Sequence, residues 1–189
     1  MLNFFNDEIT VLGKSNLDDP AVRPCKITIA AHEKVVHGDD DYYSVNFRMG
    51  ISQQKTELFS LYEMGISLKL EEAEVFCESL YNLAKQNSET KERVEIAFSG
   101  DNDAKAIGAP RAYLKRAQVD RRPVPLAITI EPVNSTEGVA EVALKMPDKE
   151  RFFCSALLSA QDALVLSYMI RCGYVETFHE KMHAENSEV

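Results

Sequence analysis

Two hydrophobic patterns alternate along this chain, one with an apolar residue at every second position and one with apolar residues every three or four positions. Residues 42–50 show the first pattern, which predicts a strand with one buried face and places Tyr42 and Arg48 on the opposite side. Further strand-like runs occupy residues 26–36, 56–64, 93–100, 126–133, 139–146 and 151–158.

The helical pattern follows strands in both halves of the chain. From Leu70 to Ala84 the apolar positions predict an amphipathic helix of about four turns. A second, more apolar helix is predicted to begin at Ser159, because Ser159 and Asp162 have the spacing of a capping box, and to end at Gly173 as its C-cap. The apolar surface of this helix predicts either burial against the sheet and the first helix or a homodimer seam.

The order of strands followed by a helix occurs twice. Ile27-Thr28-Ile29 and Ile128-Thr129-Ile130 occupy corresponding places, 101 residues apart. We therefore predict an α+β fold of tandem antiparallel sheet-plus-helix units, a ββββα-like repeat, with a projecting basic arm. The predicted organisation is one domain (1–189) that contains two sheet-plus-helix units, at 26–88 and 126–175. A connecting strand and the arm occupy 93–125, and a helix end and polar tail occupy 176–189. The N-terminal segment is predicted to be loosely ordered, with a turn at Asp18-Asp19-Pro20.

The charge pattern singles out residues 111–122, the basic arm. Five basic residues and one acidic residue give this stretch a local charge of +4, whereas the whole chain of 189 residues carries −9. Pro110 and Pro123 bound the arm, which favours a projecting hairpin or an exposed extended segment. A loop that belongs to neither repeat is a frequent place for function.

Composition narrows the function classes. No apolar run approaches the roughly 18 residues of a membrane span, and no secretory signal is visible, so we expect a cytoplasmic protein without membrane contact. The four cysteines are scattered without metal-site spacing, which predicts reduced, buried thiols and no zinc.

Enzyme and metal motifs are weak in this chain. His179, Glu180 and His183 spell the zinc-protease pattern, but they lie beside a polar tail without a third ligand downstream, and a solvated helix end is the simpler interpretation. Asp101-Asn102-Asp103 starts like a calcium loop, yet Lys105 stands at a ligand position. We expect no enzyme, no cofactor and no bound metal.

Residues 65–72, Gly65-Ile66-Ser67-Leu68-Lys69-Leu70-Glu71-Glu72, run from a strand directly into a helix. This junction resembles that of the positive-cofactor-four family, which binds single-stranded DNA in transcription. The tandem arrangement resembles Whirly proteins, and the size and composition are similar to a phage-encoded single-stranded-DNA-binding cofactor of RNA polymerase. The resemblance implies an accessory factor in transcription or replication, of viral origin if the third likeness holds, with RNA polymerase or another nucleic-acid enzyme as a partner.

We predict a single-stranded DNA-binding protein with little sequence preference; the sequence leaves RNA open as the ligand. Cations contact phosphates and aromatic rings stack on bases. The predicted nucleic-acid-binding residues are Arg111, Tyr113, Lys115, Arg116, Arg121 and Arg122 of the arm and Tyr42, Arg48, Lys55, Tyr62 and Lys69 of the adjoining sheet. The alternative is a protein-interaction or inhibitor module whose basic arm binds an acidic partner.

Overall fold

The computed structural model of this chain describes residues 6–16, 21–37, 40–55, 58–85, 92–100, 111–116 and 121–187. The strands are β1 (Asn6–Asn16), β2 (Arg23–His37), β3 (Asp40–Lys55), β4 (Leu58–Lys69), β5 (Val94–Ser99), β6 (Ala112–Arg116), β7 (Arg122–Pro123), β8 (Leu126–Pro132), β9 (Ala140–Lys145) and β10 (Phe152–Leu158). The helices are α1 (Leu70–Ala84), α2 (Ala160–Ile170) and α3 (Glu176–Ser187), with a π-helical turn (Arg171–Val175) between the last two.

These strands form one antiparallel sheet in the order β5-β8-β9-β10-β1-β2-β3-β4-β6-β7. The predicted α+β class with antiparallel pairing is therefore confirmed. Strand β10 also contacts β3 and β4, which are not its neighbours in the sheet. The sheet consequently curves until its inner side encloses the core.

The core forms because period-two strands present one apolar side to the helices. Ile27, Phe47 and Met64 are completely buried on the inner side, and the Phe47 ring lies 5.2 Å from that of Phe76 in α1, measured between centroids. Each such side chain contributes about 1.5–3 kcal/mol on burial. A single hydrophobic cluster includes residues from β1 through α2, so the two halves of the chain share one core.

The prediction of a loosely ordered N-terminal segment is wrong for residues 6–16. Strand β1 lies in the middle of the sheet, between β10 and β2. Its signal is period-two alternation, with Val11 buried inward while Glu8 and Thr10 remain exposed. The segment is polar overall, which hid this pattern. The predicted turn at Asp18-Asp19-Pro20 lies outside the described residues.

The second predicted helix starts as expected and continues beyond its expected end. Ser159 Oγ accepts a hydrogen bond from the Asp162 backbone N–H at 3.1 Å, which confirms the capping box. Gly173 is not a C-cap, because the chain passes through the π-helical turn into α3. Tyr174 holds this turn in place, because the residue is buried and its hydroxyl donates a hydrogen bond to Asp7 Oδ2 at 3.2 Å.

The thiols largely follow the prediction. Cys25, Cys77 and Cys154 are free and buried, whereas Cys172 in the π-helical turn is exposed, so the prediction of a buried thiol is wrong for Cys172. No helix within the described ranges is both long enough and apolar enough to cross a membrane.

Candidate nucleic-acid interface

The strand register gathers basic side chains on the outer side of β2, β3, β4 and β6. One cross-strand row contains Thr28, Arg48, Gly65 and Tyr113. The next row contains Lys26, Gly50, Glu63 and Lys115. Since neighbouring residues such as Ile27 and Met49 point into the core, both rows face outward. We call this surface the basic face.

The basic face carries a surplus of cations. Among the residues whose side chains the structure describes, its basic residues are Lys26, Arg48, Lys69, Lys115 and Arg121, and its acidic residues are Glu8 and Glu63. Glu8 Oε1 lies 3.0 Å from Lys26 Nζ in an exposed ion pair. Basic side chains still outnumber acidic ones on this face, although the whole chain has a net charge of −9.

Arg48, in the middle of the basic face, is held by neighbouring polar groups. Its Nε donates to Asn46 Oδ1, and Asn46 Nδ2 donates in turn to Ser67 Oγ at 3.3 Å. These contacts connect β3 and β4 on the outer side.

Tyr113 is not on the surface as the sequence suggested. Its ring packs against Gly65, its hydroxyl donates to Glu63 Oε1 at 2.8 Å, and only 2% of the residue is exposed. Burial, reinforced by the Glu63 carboxylate, raises the pKa of Tyr113 well above its usual value. In this arrangement the ring offers no open face to a base.

Arg121 covers the ring of Tyr113. Its guanidinium carbon lies 4.5 Å from the ring centroid, and the residue is exposed. Such a cation–π contact holds a flexible side chain in one place. A guanidinium plane supported in this way can stack a base on its outer side.

Arg111 is committed to the protein interior. Its Nη2 lies 2.7 Å from Glu72 Oε1 of α1, and its Nη1 and Nε donate to the carbonyls of Phe98 and Ser67. Only 8% of its side chain is exposed. The residue therefore connects β6, α1, β4 and β5, and its charge is neutralised within the fold.

Three further predicted residues of this region lie on the other side of the sheet. Tyr62 is buried, which raises its pKa, and the Arg116 guanidinium lies 5.6 Å from its ring and 4.2 Å from that of Phe152. Arg122 stands opposite Leu114, on the side away from Tyr113. The structure thus brings Arg48, Lys69, Lys115 and Arg121 together, and separates them from Arg111, Arg116, Arg122 and Tyr62.

The side chains of Tyr42 and Lys55 lie outside the described residues; their backbones belong to β3. Sequence reasoning missed Lys26 and the acidic partners Glu63 and Glu72. Lys26 alternates with the buried Cys25 and Ile27, a signal that the sequence contained. The two glutamates gave no signal, because their partners are 50 and 39 residues away.

One histidine of the zinc-protease pattern contacts a neighbouring helix. His179 of α3 contacts Glu74 of α1, with 2.6 Å between Nε2 and Oε1. The described parts of the chain contain no group of three or more metal-ligating side chains. Residues 101–103, which resemble the start of a calcium loop, lie outside the described residues.

Comparison of the chain with protein-family models, with curated proteins and with solved structures gives no match.

Proposed function

We propose that this protein binds single-stranded DNA on the basic face, with the β6–β7 hairpin extending that surface. The observation that carries the proposal is the strand register, which aligns Lys26, Arg48 and Lys115 on one solvent-facing side of an acidic molecule. Cations placed in this way contact successive phosphates, and the acidic remainder of the surface repels DNA from other places.

Base contact in this proposal comes from Arg121 instead of Tyr113. The Tyr113 ring supports the guanidinium from below, and the upper side of the guanidinium faces solvent. Tyr113 is then a positioning residue. This assignment predicts that Tyr113→Phe, which keeps the ring and removes the hydroxyl, largely preserves DNA affinity, whereas Arg121→Gln lowers it.

The register also supports a tandem origin of the two halves. Thr28 faces Arg48 and then Gly65 across β2, β3 and β4. Thr129 faces Ala143 and then Ser155 across β8, β9 and β10 in the same order. We infer a ββββα-like repeat in which the first half has the basic residue Arg48 at the position where the second half has Ala143. A role in transcription or replication beside a polymerase is a prediction from the resemblance alone.

The decisive experiment is fluorescence anisotropy of a labelled oligonucleotide of about 30 nucleotides, single-stranded and duplex, over a salt series. We compare Lys115→Gln/Arg121→Gln with the matched control Lys85→Gln/Lys149→Gln, which removes two exposed charges elsewhere. Each lost phosphate contact reduces the slope of log K against log salt by about 0.7, so the loss of Lys115 should reduce the slope by about 0.7. Loss of the Arg121 base contact should lower the affinity at every salt concentration.

Preference for the single strand and selective weakening in the first variant would support the proposal. Equal weakening in both variants would show a dependence on net charge alone. Absence of binding at low salt would refute it, and the acidic-partner alternative would then become the hypothesis to test.

A further inference from the structure

A second surface feature lies on the outer side of the other half of the sheet. A groove of about 890 Å³ extends over β8, β9 and β10 between β5 and β1. Its lining includes the small outward-facing residues Ala127 and Ser155, both of which are nearly inaccessible. Larger residues at the two sides create the depression.

Large apolar side chains stand exposed at the two sides of the groove. Phe98 on β5 is 46% exposed, and Leu12 on β1 and Val22 beside it are 59% and 56% exposed. Large apolar side chains gathered at one concave surface are typical of interaction sites. Four inter-strand spacings of about 4.8 Å separate β5 from β1, so the groove is about 19 Å between strand axes, wide enough for one α-helix of about 10–12 Å diameter.

The charges in this groove are different from those on the basic face. Acidic residues outnumber basic ones along its walls: Glu95, Glu137, Glu141 and Glu150 stand against Lys14, Arg93 and Lys145. Glu137 lies in the turn between β8 and β9 and Glu150 in the turn between β9 and β10, so an acidic side chain stands at each end of the groove. This distribution disfavours a phosphate backbone and favours an apolar segment with basic ends.

The backbone restricts the conformation of the occupant. Strands β8, β9 and β10 have paired neighbours on both sides, so an extended peptide lying on this face finds no free backbone partner. A helix satisfies its own backbone hydrogen bonds and can lie on a sheet face. We propose that the groove binds one amphipathic helix of a partner protein, with the apolar side of that helix between Phe98 and Leu12 and its basic residues near Glu137 and Glu150.

The test uses the full chain and a fluorescein-labelled 18-residue peptide of Leu and Lys at helical spacing, measured by anisotropy at physiological salt. Two comparison peptides have the same Leu positions with Glu in place of Lys, and the same composition in an order without an apolar side. We expect the Leu/Lys helix to bind about tenfold more tightly than either.

The site is located with matched variants. Phe98→Ser and Leu12→Ser should each weaken peptide binding about fivefold or more, whereas Tyr168→Ser, at another exposed aromatic residue, in α2, should leave it unchanged. All three positions are solvent-exposed, and circular dichroism checks that each variant is folded.

Failure of the Leu/Lys helix to bind would overturn the proposal, as would equal losses in the Tyr168 variant. A loss of oligonucleotide binding instead of peptide binding in Phe98→Ser would also overturn it, because the groove would then be a nucleic-acid site. The proposal is independent of the basic face: peptide binding that persists in Lys115→Gln/Arg121→Gln supports the groove whatever happens to DNA affinity.

Discussion

At the scale of single residues, the pair Gly65 and Tyr113 decides how the hairpin meets the sheet. The two residues face each other across β4 and β6, and the aromatic ring covers the space that the glycine leaves. A Cβ atom on Gly65 would lie 2.4 Å from Tyr113 Cε1. The glycine of the Gly-Ile-Ser-Leu segment is therefore required by this packing, whatever ligand the surface binds.

We predict that Gly65→Ala displaces the Tyr113 ring and lowers the free energy of unfolding by about 1–3 kcal/mol, the usual cost of overpacking. Urea denaturation measures the change. The matched control is Gly100→Ala, where the added Cβ would come no nearer than 3.4 Å to Phe98. Similar losses in both variants would mean that general glycine effects, and not the ring contact, dominate.

At the scale of elements, one buried ion pair fastens the β6–β7 hairpin to the rest of the fold. Arg111 precedes β6 and reaches Glu72 in the first turn of α1, while Glu72 also accepts a hydrogen bond from the Lys69 backbone N–H at 2.8 Å. The carboxylate thus caps α1 and holds the hairpin at once. Loss of either partner leaves a charge in a largely desolvated place.

We predict that Glu72→Ala lowers the free energy of unfolding by about 3 kcal/mol, because Arg111 remains buried without a counter-charge. Glu8→Ala, which breaks the exposed pair with Lys26, should change it by less than about 1 kcal/mol. Urea melts of both variants test this.

A double-mutant cycle with Arg111→Met isolates the pairwise contribution. The double variant Glu72→Ala/Arg111→Met should be less destabilised than the sum of the single variants. Additive effects would show that the two side chains act independently, contrary to the geometry.

At the scale of the whole molecule, burial in the shared core keeps thiol and phenol groups protonated at pH values where the same groups in the unfolded chain would ionise. Burial raises the pKa of the Cys25 and Cys77 thiols from 9.0 to about 12. Burial, together with the Asp7 carboxylate, raises the pKa of Tyr174 from 10.0 to about 12. The unfolded chain ionises these groups first, so it binds fewer protons than the folded chain in this range.

We predict that the free energy of unfolding falls as the pH rises from about 9 towards 12. The contribution of these groups is fully present below pH 9, and above it each thiol lowers the free energy of unfolding by about 1.4 kcal/mol per pH unit. Cys77→Ala should make this decline shallower by the slope that corresponds to one proton released on unfolding. Cys172→Ala, at an exposed thiol, should leave the decline unchanged. Urea melts at several pH values measure the slopes; equal slopes for wild type and Cys77→Ala would contradict the argument.

The sequence by itself determined much of the local structure. Strands, two of the helices and the capping box at Ser159 could be predicted because alternation and cap spacing act over a few residues. Arg48 was assigned to the outer side of β3 for the same reason. Strand β1 was missed because its polar residues diluted a short alternation, although Ile9 and Val11 contained the signal.

Only the tertiary structure decided which predicted residues share a surface. Arg111, Tyr113 and Arg121 belong to one basic segment, yet the first is paired with Glu72, the second packs on Gly65, and only the third is exposed. Charge and aromatic character are properties of the segment, whereas burial depends on partners dozens of residues away. The groove over β8, β9 and β10 likewise results from curvature and cross-strand register, which long-range packing sets.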